Sequence, residues 1–469
     1  MQRNFEARLS RRGMLNAVGA VVATGVLAAC APAPQGAGQS AGSSPATGSK
    51  ELVMWCLKFD PHIQGNTNRA AVYEKATGIK TTIQPRDWPL ETAIAAGMAA
   101  GVFPDVCQIM GKRLVPLLVK KAVVDITDVV YKEAGSDPQK DWVGDGVPCY
   151  TYDGKIYGVP QDISGISFFG GYRWDPLTEE QLKGYPPFNG KDQFDSYEQM
   201  WELAKKLQIE KDGKVVRWGI SSEGWEMSNF TTILAQLGRK WWDPENKKFD
   251  LDNEDTLKAL DLLIMTPLKM GIETAQGMNV VDSQTAGKVA MVRGNVQTFF
   301  CQENLKIDES LFVVPLPNPQ AKKIFLGEGG WGYSTFPKVK HPDNAINFLR
   351  WLTTKDGQYA GFAPTTQEGC YWIGANASKH LLEHPATQKN GNKYHDRVID
   401  MFHLWYKYAE FGSYYGGLYG YIDKVEEAIG AAAADCRTKT ITPEQAAKRM
   451  QELCTNQWEQ YEKDIKQSA

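Results

Sequence analysis

The 469-residue chain lacks several signatures, and each absence excludes a class of chemistry. There is no Gly-x-x-x-x-Gly-Lys-[Ser/Thr] loop to cradle a nucleotide's phosphates and no Gly-x-Ser-x-Gly elbow to raise a serine nucleophile. None of the eight cysteines stands in Cys-x-x-Cys spacing, so zinc ribbons and thioredoxin-type sites have no support. No internal repeat occurs, and charge of one sign is not in excess. Removing residues 1–29 takes four arginines and one glutamate from the 52 basic and 55 acidic side chains, leaving 48 against 54. That balance offers nucleic acid or anionic lipid no broad attraction. The apolar run from Met14 to Ala29 is too short for a membrane span, which needs ~20 apolar residues. What the chain does have is tryptophan, 14 of them, within an aromatic content of 11%. Such a content hints at a surface that stacks on something.

The first fifty residues read as an address. Arg11-Arg12 precede the apolar run, which ends in Leu27-Ala28-Ala29-Cys30. A basic start, an apolar middle and small residues before a cut describe a secretory signal. The paired arginines look like a twin-arginine export signal, and the tetrapeptide looks like a lipobox that would make Cys30 a lipidated N-terminus. Residues 31–50 then form a Pro/Gly/Ser/Ala tether with almost nothing to bury. The expectation is a lipid-anchored protein on the outer face of the cell membrane or in the periplasm. The body of ~420 residues exceeds one core's usual size, so two lobes are expected. Seven further cysteines follow Cys30; several sit among apolar neighbours and read as buried thiols.

Along the body, strands alternate with helices. Leu52–Leu57, Ile79–Ile83 and Asp105–Met110 read as strands; Asn66–Thr77, closed by Gly78, and Pro89–Ala100 read as helices. This order predicts a parallel α/β sheet, with ligands beyond the strands' carboxyl ends. Further helices are predicted at Phe194–Leu207, Asn229–Leu237, Asp255–Met270, Pro342–Thr353, Tyr421–Ala434 and Pro443–Asp464. Short strands are expected at Trp218–Ile220, Val289–Val292 and Phe312–Val314.

Five stretches, in order, resemble the family 1 extracellular solute-binding proteins of ABC importers, the maltose-binding-protein superfamily. They are Tyr73–Lys80 with Ala100–Val106, Tyr152–Pro160, Gly287–Val292, Gly329–Ser334 running into Pro342–Leu352, and the closing run Ile422–Tyr461. The segment Phe168–Arg173 departs from the Tyr-Tyr-Asn-Lys type common in the family, so no ligand contact is carried over there. The resemblance implies an α/β, two-lobed periplasmic-binding-protein-like fold with a hinge and an inter-lobe cleft. The expected division places 51–162 and 280–326 in the N-terminal lobe, and 163–279 and 327–469 in the C-terminal lobe.

Candidate ligand contacts follow from chemistry and position. Trp331 sits between glycines, where an indole can stack on a sugar's C–H face and the backbone can approach closely; a core tryptophan is the alternative. Trp225, Tyr371, Trp372 and Trp88 are further aromatic candidates. Trp241-Trp242 could serve the cleft or a turn packed on the lobe, and Tyr414–Tyr421 offers phenols suited to hydroxyl ligands or, equally, an adhesive surface loop or a lobe contact. Asp60, His62, Asp162, Asn295 and Gln297 could pair with sugar hydroxyls, or serve ordinary turn and hinge chemistry. His380-Leu381-Leu382-Glu383-His384 matches an inverted zinc-protease pattern, but Pro385 stops a helix there at once. No metal or cofactor is expected.

Together these point to a non-catalytic, monomeric binding lipoprotein that delivers a carbohydrate to an ABC permease. The alternatives are a surface glycan-active enzyme, a lyase or glycosidase, or the same fold binding a polyol phosphate, peptide or polyamine.

Overall fold

In the computed structural model the described residues are 50–143, 146–163, 169–222, 226–278, 286–293, 311–315, 317, 330–361, 375–376, 378–385, 388–389, 391, 396, 400 and 420–468. Cys30, the tether, Trp225, Asn295, Gln297, Tyr371 and Trp372 lie outside them.

Among them, two five-stranded sheets form the two lobes. The first begins with β1 (Glu51–Leu57), α1 (Asp60–Thr77), β2 (Lys80–Arg86), α2 (Leu90–Ala100) and β3 (Val106–Met110). β1 pairs in parallel with both β2 and β3, as the alternation predicts. Gly78 closes α1 with a left-handed φ of 74°, and its N–H donates to the Glu74 carbonyl, a conformation that glycine adopts without a Cβ penalty. α1 starts six residues before the expected Asn66. Pro61 fits a first turn because its missing N–H would have had no helical partner there.

The chain leaves this sheet through β4 (Val159–Pro160) and β5 (Asp162–Ile163). It enters the second sheet with β6 (Phe169–Arg173), α3 (Tyr197–Leu207), β7 (Ile209–Lys211) and β8 (Lys214–Ser221). Next come α4 (Glu226–Gln236) and α5 (Glu254–Leu260), which runs on through a π turn (Asp261–Met265) to Lys269. β9 (Val289–Arg293) and β10 (Leu311–Pro315) complete this sheet, in the order β10-β6-β9-β8-β7.

The expected lobe division is corrected here. Residues 289–293 pair in parallel with β8 and antiparallel with β6, and 311–315 also pair with β6, so both belong to the second sheet, not the first. The chain then returns. β11 (Trp331–Ser334) lies antiparallel between β3 and β4, giving the first sheet the order β2-β1-β3-β11-β4. α6 (Pro342–Leu352) and α7 (Lys355–Ala360) follow, and the Phe348 and Trp351 rings of α6 pack on Tyr73 of α1. Main-chain pairing decides lobe membership, and a linear sequence does not display which strand lies beside which.

The closing helices belong elsewhere. β12 (Ala375–Asn376) pairs antiparallel with β5. α8 (Ile422–Arg437) spans both lobes: Glu426 meets Lys112 at 3.1 Å, while Arg437, fifteen-odd ångströms along the helix by its ~1.5 Å rise per residue, meets Glu226 at 3.0 Å. α9 (Pro443–Ser468) packs on the second lobe, where Gln451 bonds the main chain at Phe249 and Leu251 and Trp458 meets Trp242. No described helix is long and apolar enough to cross a membrane.

Candidate functional site

β1, β2 and β3 run the same way, so their carboxyl ends share one edge of the sheet. β11 runs opposite and starts at that edge, which pairs Trp331 with Met110, the last residue of β3. Trp88 stands two residues past β2. Tertiary pairing thus brings together two tryptophans that are 243 positions apart in sequence. Their ring centroids lie 6.1 Å apart, edge to face. Trp331 is half-buried, whereas Trp88 is 51% exposed, a large apolar surface left open to solvent.

His62, on the first turn of α1, completes the arrangement. Its ring meets the Trp331 indole edge to face at 4.8 Å, and its Nδ1 lies 2.7 Å from Gln108 Oε1. Burial pushes its pKa down to about 4, and Arg69 acts in the same direction, so the imidazole is neutral at ordinary pH. His62 is only 2% exposed and therefore supports the platform from within. Asp60 is the first residue of α1.

Asp162 is also buried, at 1% exposure. Its Oδ1 accepts the Trp331 main-chain N–H at 2.9 Å, and the neighbouring Gln161 donates its N–H to the Trp331 carbonyl at 2.7 Å. The glycines around Trp331 serve the protein's own packing. A Cβ on Gly330 would fall 1.6 Å from the Asp162 carbonyl oxygen, and one on Gly332 would fall 2.5 Å from Tyr150 Oη. Close approach is needed there, as expected, but by the protein's own groups.

Sequence reasoning missed Arg113. Its guanidinium lies over the Trp88 ring at 4.5 Å and reaches Glu91 at 3.5 Å. Burial raises the Glu91 carboxyl above its usual range, with Arg113 pulling the other way. The available signal was position: Arg113 follows β3 by three residues, at a strand's carboxyl end. Gln108 and Gln161, which hold His62 and Trp331, gave no signal of spacing at all.

Other candidates resolve differently. Trp241 and Trp242 are buried against Phe249 and Trp458, so they pack the second lobe. The His380–His384 run occupies a single 3₁₀ turn (Lys379–Glu383), and His384 lies beyond it in extended backbone against Tyr359. Two imidazoles do not share a helix face there, and the described residues hold no group of three or more potential metal ligands. Cys56, Cys107, Cys436 and Cys454 are free and buried, as the apolar neighbours implied; burial pushes the Cys56 thiol up to about 11.

The fold has solved counterparts. The maltose/maltodextrin-binding domain MalE of Bdellovibrio bacteriovorus, bound to maltotriose, superposes with a TM-score of 0.66 at 16% identity, covering 87% of this chain and 99% of that one. The GacH receptor of Streptomyces glaucescens, solved unliganded and with acarbose, gives 0.66 at 18% identity, covering 89% and 99%. The ABC-transporter-associated binding protein of B. animalis subsp. lactis, in complex with β-1,6-galactobiose, gives 0.65 at 19%, covering 88% and 98%. No curated protein matches the chain in sequence. Residues 63–359, well over half the chain, match one family directly, and the chain belongs to it: the bacterial extracellular solute-binding proteins.

Proposed function

We propose that this protein captures a carbohydrate between its lobes and delivers it to the permease of an ABC importer, without transforming it. The observation that carries this reading is the Trp88–Trp331 pair at the carboxyl edge of the first sheet, half open and braced from behind by His62. Indole faces match the C–H faces of pyranose rings; Arg113 covers one face of Trp88, which is still 51% exposed. Sugar complexes among structures of the same fold add support. Trp225, Asn295, Gln297, Tyr371, Trp372 and Asp60 are proposed as further ligand contacts. Lipidation at Cys30, after twin-arginine export, would tether the monomer beside its permease.

A thermal-shift screen of residues 51–469 against mono- and oligosaccharides, polyols, amino acids and polyamines tests the reading. A ligand at a hundred times its dissociation constant should stabilise the folded state by ~2.7 kcal/mol. A sugar hit recovered unchanged after incubation is the expected result. A consumed sugar would convert the reading to a glycan-active enzyme, and hits confined to charged solutes would discard the carbohydrate.

A further inference from the structure

Both main-chain hydrogen-bonding groups of Trp331 are taken by two consecutive residues of the segment that leaves the first lobe. Asp162 Oδ1 accepts its N–H, and the Gln161 N–H donates to its carbonyl. A second route reaches the same segment from behind the indole. His62 lies 2.7 Å from Gln108 Oε1, Gln108 Nε2 donates to Gln161 Oε1 at 2.7 Å, and Tyr333 Oη stands 2.5 Å from that oxygen. His62, Gln108, Gln161, Asp162 and Tyr333 are each less than 5% exposed, so this network is dry and its members are mutually fixed. The contact is also tight: Gly330 leaves no room for even a methyl group against the Asp162 main chain. On its other side, Asp162 pairs with Asn376 of β12.

We propose that Asp162 is a positioning residue that locks the Trp331 indole to the inter-lobe crossing, so that the angle of the ligand platform is set by the segment that must flex when the lobes move. This rests on reading Trp331 as part of the ligand platform. Of the two links to the Trp331 main chain, the one from Asp162 is made by a side chain and the one from Gln161 by main chain, so a substitution removes the first alone. Losing the acceptor releases the Trp331 N–H, while the Gln161 link to the Trp331 carbonyl and the bonds from Gly111 and Tyr150 to the Gly330 carbonyl stay in place.

The test uses the mature chain labelled with 5-fluorotryptophan and read by ¹⁹F NMR, with the Trp331 resonance assigned through W331F and the distant Trp458 resonance through W458F. In D162A the Trp331 signal should shift or split while Trp458 stays in place. In D162N, whose amide oxygen can still accept the N–H, the Trp331 signal should return to its original position. If D162A does not fold, D162S, which keeps a shorter polar group, carries the same comparison. An unmoved Trp331 signal in the folded alanine or serine variant overturns the proposal, as does a D162N spectrum displaced as far as that of D162A. With maltotriose as probe, D162A should bind ~10-fold more weakly and D162N within about 2-fold of the parent. If W331A leaves maltotriose binding intact, the platform reading fails; the ¹⁹F comparison needs no ligand and decides the Asp162 link by itself.

Discussion

The His62 imidazole and the Trp331 indole meet nearly perpendicular, 82° between planes and 4.8 Å between centroids, with His62 Nδ1 2.7 Å from Gln108 Oε1. A neutral imidazole can share a proton with a glutamine oxygen in this dry setting, but a charged one would face desolvation and the Arg69 cation together. Its pKa, lowered from 6.5 to about 4, makes the folded state prefer the neutral form. The stability this preserves is fully present above pH ~6.5 and is lost as pH falls through the window down to ~4, by an amount on the order of 3 kcal/mol. H62Q, which cannot take up that proton, should flatten this part of the acid limb. Urea unfolding at pH 7 and at pH 4.5 checks it; an identical pH dependence in H62Q and the parent would remove His62 from the account.

Trp88 and Trp331 should separate binding from folding. Trp88 is 51% exposed, so W88A should change stability by less than about 1 kcal/mol yet weaken sugar binding ~10-fold or more. W331A should weaken binding as much and cost more stability, since its ring packs on His62 and Trp88. Calorimetric titration beside thermal melts distinguishes the two; unchanged affinity in both variants would remove the platform.

Glycine substitutions should divide by what a methyl group would meet. G330A places a Cβ 1.6 Å from a main-chain oxygen and should cost upwards of ~3 kcal/mol, because backbone must move. G430A, inside α8 with nothing within 4 Å, should stabilise by ~0.5–1 kcal/mol through helix propensity. Chemical denaturation of both variants gives the two signs.

Arg437 bridges two acids on the second lobe, the half-buried Glu226 and the buried Glu273. It donates to Glu226 at 3.0 Å and to Ser222 Oγ at 3.0 Å, and lies 3.8 Å from Glu273, whose carboxyl burial raises above its usual range. R437M would keep the volume and remove the cation that Glu226 and Glu273 share, at a cost of ~3–5 kcal/mol. Adding E226Q and E273Q should recover much of that loss, measured by urea unfolding.

By itself the sequence determined the family, the strand–helix alternation of residues 51–110 and the end of α1 at Gly78. It also pointed to Trp331 as exceptional. These are properties of local composition and spacing: a glycine at a helix end and apolar residues in short runs act on their own neighbours. Only the tertiary structure decided which sheet 289–293, 311–315 and 331–334 join, because strand pairing depends on groups more than a hundred residues apart. It alone joined Trp88 to Trp331 and placed Arg113 over the former. It also turned His62 and Asp162 inward, since a polar residue after a strand reads the same whether it faces a ligand or holds a main-chain amide. Burial is a property of the packed whole, and it separates those two roles.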